Sequence, residues 1–118
     1  MDVLWLQDDY IKEMTSNNIF VLQMNKDRCL ELLTPPDDGS IYNGVIRQTI
    51  LDMRDDIKTK LNTTVIERRI SIHELDKARK EDRLLSIFGA STHGPILPVS
   101  RIDYGDTTLN LRIRWKAR

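Results

Sequence analysis

Leu32-Leu33-Thr34-Pro35-Pro36-Asp37-Asp38-Gly39-Ser40-Ile41-Tyr42-Asn43-Gly44-Val45-Ile46-Arg47 joins three local signals end to end. Leu32 and Leu33 close the apolar run Cys29 to Leu33, which reads as a strand. Two prolines, two aspartates and a glycine follow, a composition that makes a loop. Asn43 then offers an N-cap, and Ile46, Ile50, Met53, Ile57 and Leu61 recur at three- and four-residue steps. That period predicts one helix from Val45 to Leu61 with a single buried stripe. The first N–H groups of such a helix have no intrahelical acceptor, and the positive end of its dipole points outward at Gly44, where a phosphate could bind. An ordinary capped helix explains the same residues without a ligand.

Upstream, Val3 to Leu6 and Asn18 to Met24 are apolar runs, and Asn25-Lys26-Asp27 turns the second into Cys29 to Leu33 as a hairpin. Glu13 is a carboxylate within Tyr10 to Met14, just before the polar cluster Thr15 to Asn18; a solvated strand position is its plain reading. Downstream, Val65 to Ile70 is β-branched and reads as a strand. Ser71-Ile72-His73-Glu74 has the form of a capping box and opens a helix to about Glu81. Leu84 to Phe88 is an apolar strand that ends in Gly89-Ala90-Ser91-Thr92-His93-Gly94, a small, hydroxyl-rich turn. Its amides can form an anion nest, or it is a plain turn. Ile96 to Ile102 and Thr107 to Leu111 are the last predicted strands. The sum is one α+β domain with more strand than helix.

Composition excludes several functions. A length of 118 residues suits one domain, and 40% apolar with 31% charged residues suits a globular rather than a disordered chain. Eighteen basic and eighteen acidic residues cancel, so no net field recruits nucleic acid or an anionic membrane. Arg112, Arg114, Lys116 and Arg118 read as a solvated chain end. Cys29 stands alone, which excludes a disulfide framework, and neither His73 nor His93 has metal ligands at a suitable spacing. No apolar run reaches the length of about 18 residues that a membrane helix needs. Asp2, Asp8 and Asp9 stand where a secretory leader would be basic, so a reducing compartment, cytoplasmic or mitochondrial, is expected.

Four segments, taken in order, resemble the branched-chain aminotransferases from about residue 3 to about residue 111. Leu32 to Arg47 resembles that family's L-x-T-P-P-x-D-G-x-I-L-x-G-V-T-R stretch, and Ile87-Phe88-Gly89-Ala90-Ser91-Thr92 with Pro98-Val99 its V-F-G-S-G-T-A…P-V segment. Val3-Leu4-Trp5-Leu6 and Ile11-Lys12-Glu13…Asn18-Ile19-Phe20 are similar to two of its strands. The resemblance implies that residues 1–118 are part of the large C-terminal domain of a fold type IV pyridoxal-phosphate enzyme, a pseudo-barrel sheet with flanking helices. It also implies transamination of leucine, isoleucine and valine with 2-oxoglutarate on pyridoxal 5'-phosphate, in a homodimer, with amino-acid and 2-oxo-acid substrates and neither nucleic acid nor membrane as partner.

By the same resemblance Glu13 would face the pyridine nitrogen of the cofactor. Val45 and Ile46 would give backbone N–H groups to its phosphate, Thr92 a hydroxyl and an amide to the same phosphate, and the amide of His93 would meet the substrate carboxylate. There are departures: Ile46 replaces a threonine, His93 a small alanine, and Gly94 and Leu97 a cysteine pair found in some animal members. In the family the Schiff-base lysine, a tyrosine and a phosphate-binding arginine lie upstream of the stretch that begins here, in or near a small N-terminal domain. The chain is therefore expected to hold no catalytic residue, to bind the cofactor weakly or not at all, and to be inactive alone. The alternative is a degenerate, non-catalytic paralogue or fragment that acts by binding or by assembly with a full-length relative. A partial domain should also expose apolar side chains, with Trp5, Phe20 and Trp115 as candidates.

Overall fold

The computed structural model describes residues 3–15, 17–92 and 96–104, and the backbone of 107–110. Along the chain run β1 (Leu4–Gln7), β2 (Tyr10–Met14), β3 (Asn18–Met24), β4 (Leu30–Thr34), α1 (Val45–Asp52), α2 (Arg54–Leu61), β5 (Thr63–Glu67), α3 (Ile72–Lys80), β6 (Leu84–Ala90), β7 (Leu97–Val99), β8 (Arg101–Tyr104) and β9 (Thr107–Asn110). The central sheet has the order β5-β4-β3-β6-β7, and β1–β2 and β8–β9 are separate two-stranded ladders.

β3 is apolar at most of its positions because both of its faces are covered. It pairs antiparallel with β4 (Val21 opposite Leu33) and with β6 (Phe20 opposite Phe88). Ile19 and Val21 point to one face, where Leu33, Ile87, Ile11, Ile70, Leu75 and Ile102 pack with them. Phe20 points to the other, against Leu32 and Ala90, with Ile46, Ile50 and Phe88 around them. The Phe20 and Phe88 rings stack at 5.4 Å. Phe20 is fully buried, so it is a core residue and not an exposed remnant; burial of such a side chain stabilises by about 1.5–3 kcal/mol. Trp5 is exposed, as expected, and Trp115 lies outside the described residues. The described residues form the expected α+β architecture, with a mixed sheet and three helices.

β4 and β5 are parallel, from Leu30 opposite Thr63 to Thr34 opposite Glu67, and a parallel pair needs a crossover. α1 and α2 supply it. The single helix expected over 45–61 is divided at Met53 (φ −91, ψ 9), which closes α1 and caps α2. The physical reason is that the apolar stripe is not buried throughout. Arg47 and Leu51 are the buried residues of α1, α2 has none, and Met53 and Leu61 are exposed. α2 is a surface helix with Asp55 and Asp56 in its first turn and Lys58 and Lys60 in its last, both suited to the dipole. The expected strand Ile96 to Ile102 is likewise two, β7 and β8, which belong to different sheets. β1 and β2 join through Asp8-Asp9, both at positive φ (53 and 65), the two-residue hairpin geometry that aspartate tolerates.

Candidate functional site

The start of α1 is held from outside the helix. Its N-cap is Gly44, not Asn43, and no side chain caps it. Asn18, buried where β3 opens, reaches across instead: Nδ2 donates to the Tyr42 carbonyl (2.5 Å), and Oδ1 accepts from the Gly44 N–H (3.1 Å). Gly44 is needed for space: a Cβ there would lie 2.7 Å from Asn18 Oδ1. The Tyr42 N–H donates to Glu13 Oε2 (3.2 Å), which ties the loop to β2. From the other side, buried Arg47 donates Nη1 to Asn43 Oδ1 (2.8 Å) and Nη2 to Pro35 O (3.0 Å) and Glu67 Oε2 (2.7 Å). Asn43 is thus an acceptor for Arg47 rather than a cap.

These residues border a cleft of about 480 Å³ lined by Glu13, Thr15, Asn17, Asn18, Tyr42, Gly44, Val45, Ala90, Ser91 and Thr92. The helix start and the turn after β6, read in the sequence as two separate anion-binding candidates, border this one cleft. Strand register explains it: Asn18 pairs with Ala90, so the residue that holds Gly44 sits beside the one that leads into Ser91 and Thr92. Glu13, Val45 and Thr92 come together here. Ile46 does not line the cleft; its side chain packs against the Phe20, Leu32 and Ala90 cluster, which leaves only its backbone amide, second in the helix, to serve a ligand. His93 lies outside the described residues.

The cleft has opposite electrostatic character at the helix start and at Glu13. Val45, Ile46 and Arg47 carry the first three helical amides, which have no acceptor inside the helix and stand at its positive end. Glu13 is the single carboxylate and no lysine is present among the described lining residues. Lys12 follows the strand rule: neighbour to Glu13 on β2, it points to the opposite face. There it lines a second concavity of about 410 Å³ with Asp38, Arg69 and others, buried and paired to Asp38 at 3.0 Å. The Ser40 hydroxyl first, and then Lys12, hold Asp38 well below the ordinary carboxylate range, so Lys12 and Asp38 are matched to each other there. Among the described residues no group of three or more potential metal ligands occurs, and no helix is long and apolar enough to cross a membrane.

Sequence reasoning passed over Asn18 and the Tyr42 backbone. A signal was present: Asn18 is the last polar residue before a run buried on both faces, a position where a side-chain amide is buried and must find partners.

The fold places the chain first in a class. It matches the fold IV-transaminase CpuTA1 of Curtobacterium pusillum with a TM-score of 0.62 at 21% identity, over 84% of this chain and 28% of that one. It matches the branched-chain amino acid aminotransferase of Thermobaculum terrenum, solved in its PLP-form, with a TM-score of 0.62 at 22% identity, also over 84% and 28%. The fold is that of the fold type IV aminotransferases. The sequence narrows this further. The chain is 39% identical over 111 residues to the mitochondrial branched-chain-amino-acid aminotransferase of Rattus norvegicus, covering 92% of this chain and 28% of that protein. It is 38% identical over 111 residues to the cytosolic enzyme of Ovis aries, with the same coverage. No family model matches it. The chain is a homologue of part of the branched-chain-amino-acid aminotransferases, and it spans 28% of the length of these relatives.

Proposed function

We propose that residues 1–118 form part of the large domain of a pyridoxal-phosphate enzyme that transfers the amino group of leucine, isoleucine or valine to 2-oxoglutarate. The observation that carries this is the convergence of Glu13 and the start of α1 on one cleft, with the Tyr42 backbone between them. A phosphorylated pyridine needs an anion site at one end and a carboxylate at the other, and a volume of about 480 Å³ falls in the range of small-ligand sites. Bound there, the cofactor supplies an electron sink for the amino-acid α-carbon. The amides of Val45 and Ile46 and the Thr92 hydroxyl would hold its phosphate. Glu13 would keep a proton on the ring nitrogen through a charge-assisted hydrogen bond, and the His93 amide would orient the substrate carboxylate.

These residues bind and orient; none is an amine nucleophile. The Schiff-base lysine of the reaction would come from a segment other than the described cleft lining, so the 118-residue chain alone should not turn over substrate. Homodimeric assembly and a mitochondrial or cytosolic setting belong to the same proposal. A non-catalytic role, through binding or assembly with a full-length relative, draws support from Ile46, which brings no hydroxyl to the cleft.

An amide-shift titration tests the site. Inorganic phosphate should perturb Val45, Ile46, Thr92 and His93, and pyridoxal phosphate should do so with an affinity weakened by Glu13→Gln. If those amides stay still while others move, the assignment is wrong. Stereospecific turnover of leucine by the pure chain, lost in Glu13→Gln, would show that the chain carries its own nucleophile.

A further inference from the structure

We infer, on the cofactor reading above, that Asn18 is the positioning residue that fixes the distance between the two ends of the cleft, the anion-binding start of α1 and the Glu13 carboxylate. One side-chain amide holds both. Its donor takes the Tyr42 carbonyl and its acceptor takes the Gly44 N–H, while the N–H of the same Tyr42 holds Glu13. The path from Glu13 to the helix start therefore runs through two peptide groups pinned by one residue.

Packing does not provide this anchor. The Tyr42 side chain is 74% exposed and Asn43 is exposed as well, so hydrogen bonds and not burial set where this segment lies. Arg47 fixes Asn43 and the first helical turn, and its hydrogen bonds go to Asn43, Pro35 and Glu67 rather than to Tyr42 or Glu13. Asn18 can act as a reference point because its own backbone is paired to Ala90 in the central sheet, beside the turn that carries Thr92. The side chain thus transmits the sheet's position to the loop. No other side chain of this size does both parts: aspartate accepts but cannot donate, and serine is too short to span Tyr42 and Gly44. Gly44 completes the device, since any Cβ would displace the Asn18 oxygen.

The test compares the full chain with Asn18→Ala, Asn18→Asp and, as a control of similar structural cost, Thr34→Val, which removes a buried hydrogen bond from Thr34 to the carbonyl of Ile19, the next residue of β3, and leaves the Tyr42 and Gly44 bonds in place. Two quantities are measured: amide hydrogen exchange at Gly44, and the dissociation constant for inorganic phosphate read from the Val45 amide shift. Asn18→Ala should speed Gly44 exchange about tenfold and weaken phosphate about three- to tenfold, as expected for loss of a hydrogen bond. Thr34→Val should leave both unchanged. Asn18→Asp should keep Gly44 exchange slow, because an acceptor remains, yet weaken phosphate through a fixed negative charge at the helix start, an effect that added salt relieves. Equal changes in Thr34→Val and Asn18→Ala would reduce Asn18 to a structural residue and overturn the inference. So would unaltered phosphate binding in Asn18→Ala. A parent chain whose Val45 amide ignores phosphate overturns the cofactor reading, and this inference with it.

Discussion

Two helix starts in this domain solve the same problem in opposite ways. α3 closes its first turn with its own neighbours. The Glu74 N–H donates to Ser71 Oγ (3.0 Å), the Ser71 N–H donates to Glu74 Oε1 (3.1 Å), and Arg68 grips the same carboxylate with two bonds of 2.9 Å. The partners in this capping box lie within six residues along the chain; one further tie, from the Ile72 N–H to Asp9 O, comes from the β1–β2 turn. α1 has no side-chain cap, and its supports come from Asn18, Pro35 and Glu67, each at least 12 residues away. The difference shows what each end is free to do. A closed start has used its amides, whereas an externally braced start keeps its positive end open toward a cleft.

The comparison breaks most visibly at the arginines. Arg47→Met would leave the buried Pro35 carbonyl, Asn43 and Glu67 without their donor and should cost about 2 kcal/mol, as a buried polar group left unsatisfied does. Arg68→Met, at a pair that is about one-third exposed, should cost less than about 1 kcal/mol. Urea unfolding of both variants measures this, and equal losses would mean that external bracing is not what holds α1.

Next come the caps themselves. Ser71→Ala should destabilise by about 1 kcal/mol. Local rules would have Gly44→Ser stabilise α1 by supplying a cap; the 2.7 Å approach to Asn18 Oδ1 reverses the sign, and the variant should be less stable than the parent. A Gly44→Ser chain that melts higher than the parent would remove the case for a tertiary brace.

The smallest effect is one of pH. The start of α3 is stitched to the β1–β2 turn by the Ile72 N–H on Asp9 O (2.9 Å), and the Asp9 carboxylate accepts from Tyr104 (2.5 Å) and meets His73 Nε2 (3.3 Å). The Tyr104 bond first, then His73, hold Asp9 below its ordinary value of 3.8, and the same bond raises Tyr104 above 10.0. A lowered carboxylate adds stability above its ordinary value and loses it as pH falls through the lowered one. A raised phenol adds stability below its ordinary value and loses it as pH rises through the raised one. The contact is therefore fully present between about pH 4 and pH 10. Tyr104→Phe should slightly flatten the fall in melting temperature on acidification below that window, with little change at its centre. Superimposable acid limbs for parent and variant would rule the contact out as a contributor.

Local chemistry was legible. The capping box at Ser71, the span Asn18–Met24, the loop after β4 and the two anion-binding candidates all follow from residue types within a few positions of one another. The resemblance of residues 3–111 to one family named the roles of Glu13, Val45 and Thr92, and the cleft brings those three together. What failed was of another kind. The period from Ile46 to Leu61 cannot say that no residue of α2 is buried, so the division at Met53 was hidden. Phe20 looked like a candidate for exposure because the chain was expected to be partial, yet β6 and α1 bury it.

The sequence by itself determined the hairpin of β3 and β4, the loop after it and how α3 begins, because each depends on residue types a few positions apart. Only the tertiary structure decided that the helix start at Gly44, the turn at Thr92 and the carboxylate of Glu13 share one cleft. The register of β3 against β6 and the reach of Asn18 across 26 positions set that arrangement, and neither leaves a periodic trace in the chain. Spacing along the sequence records which neighbours a residue has locally; which distant groups meet is fixed by the pairing of strands and the satisfaction of buried polar atoms.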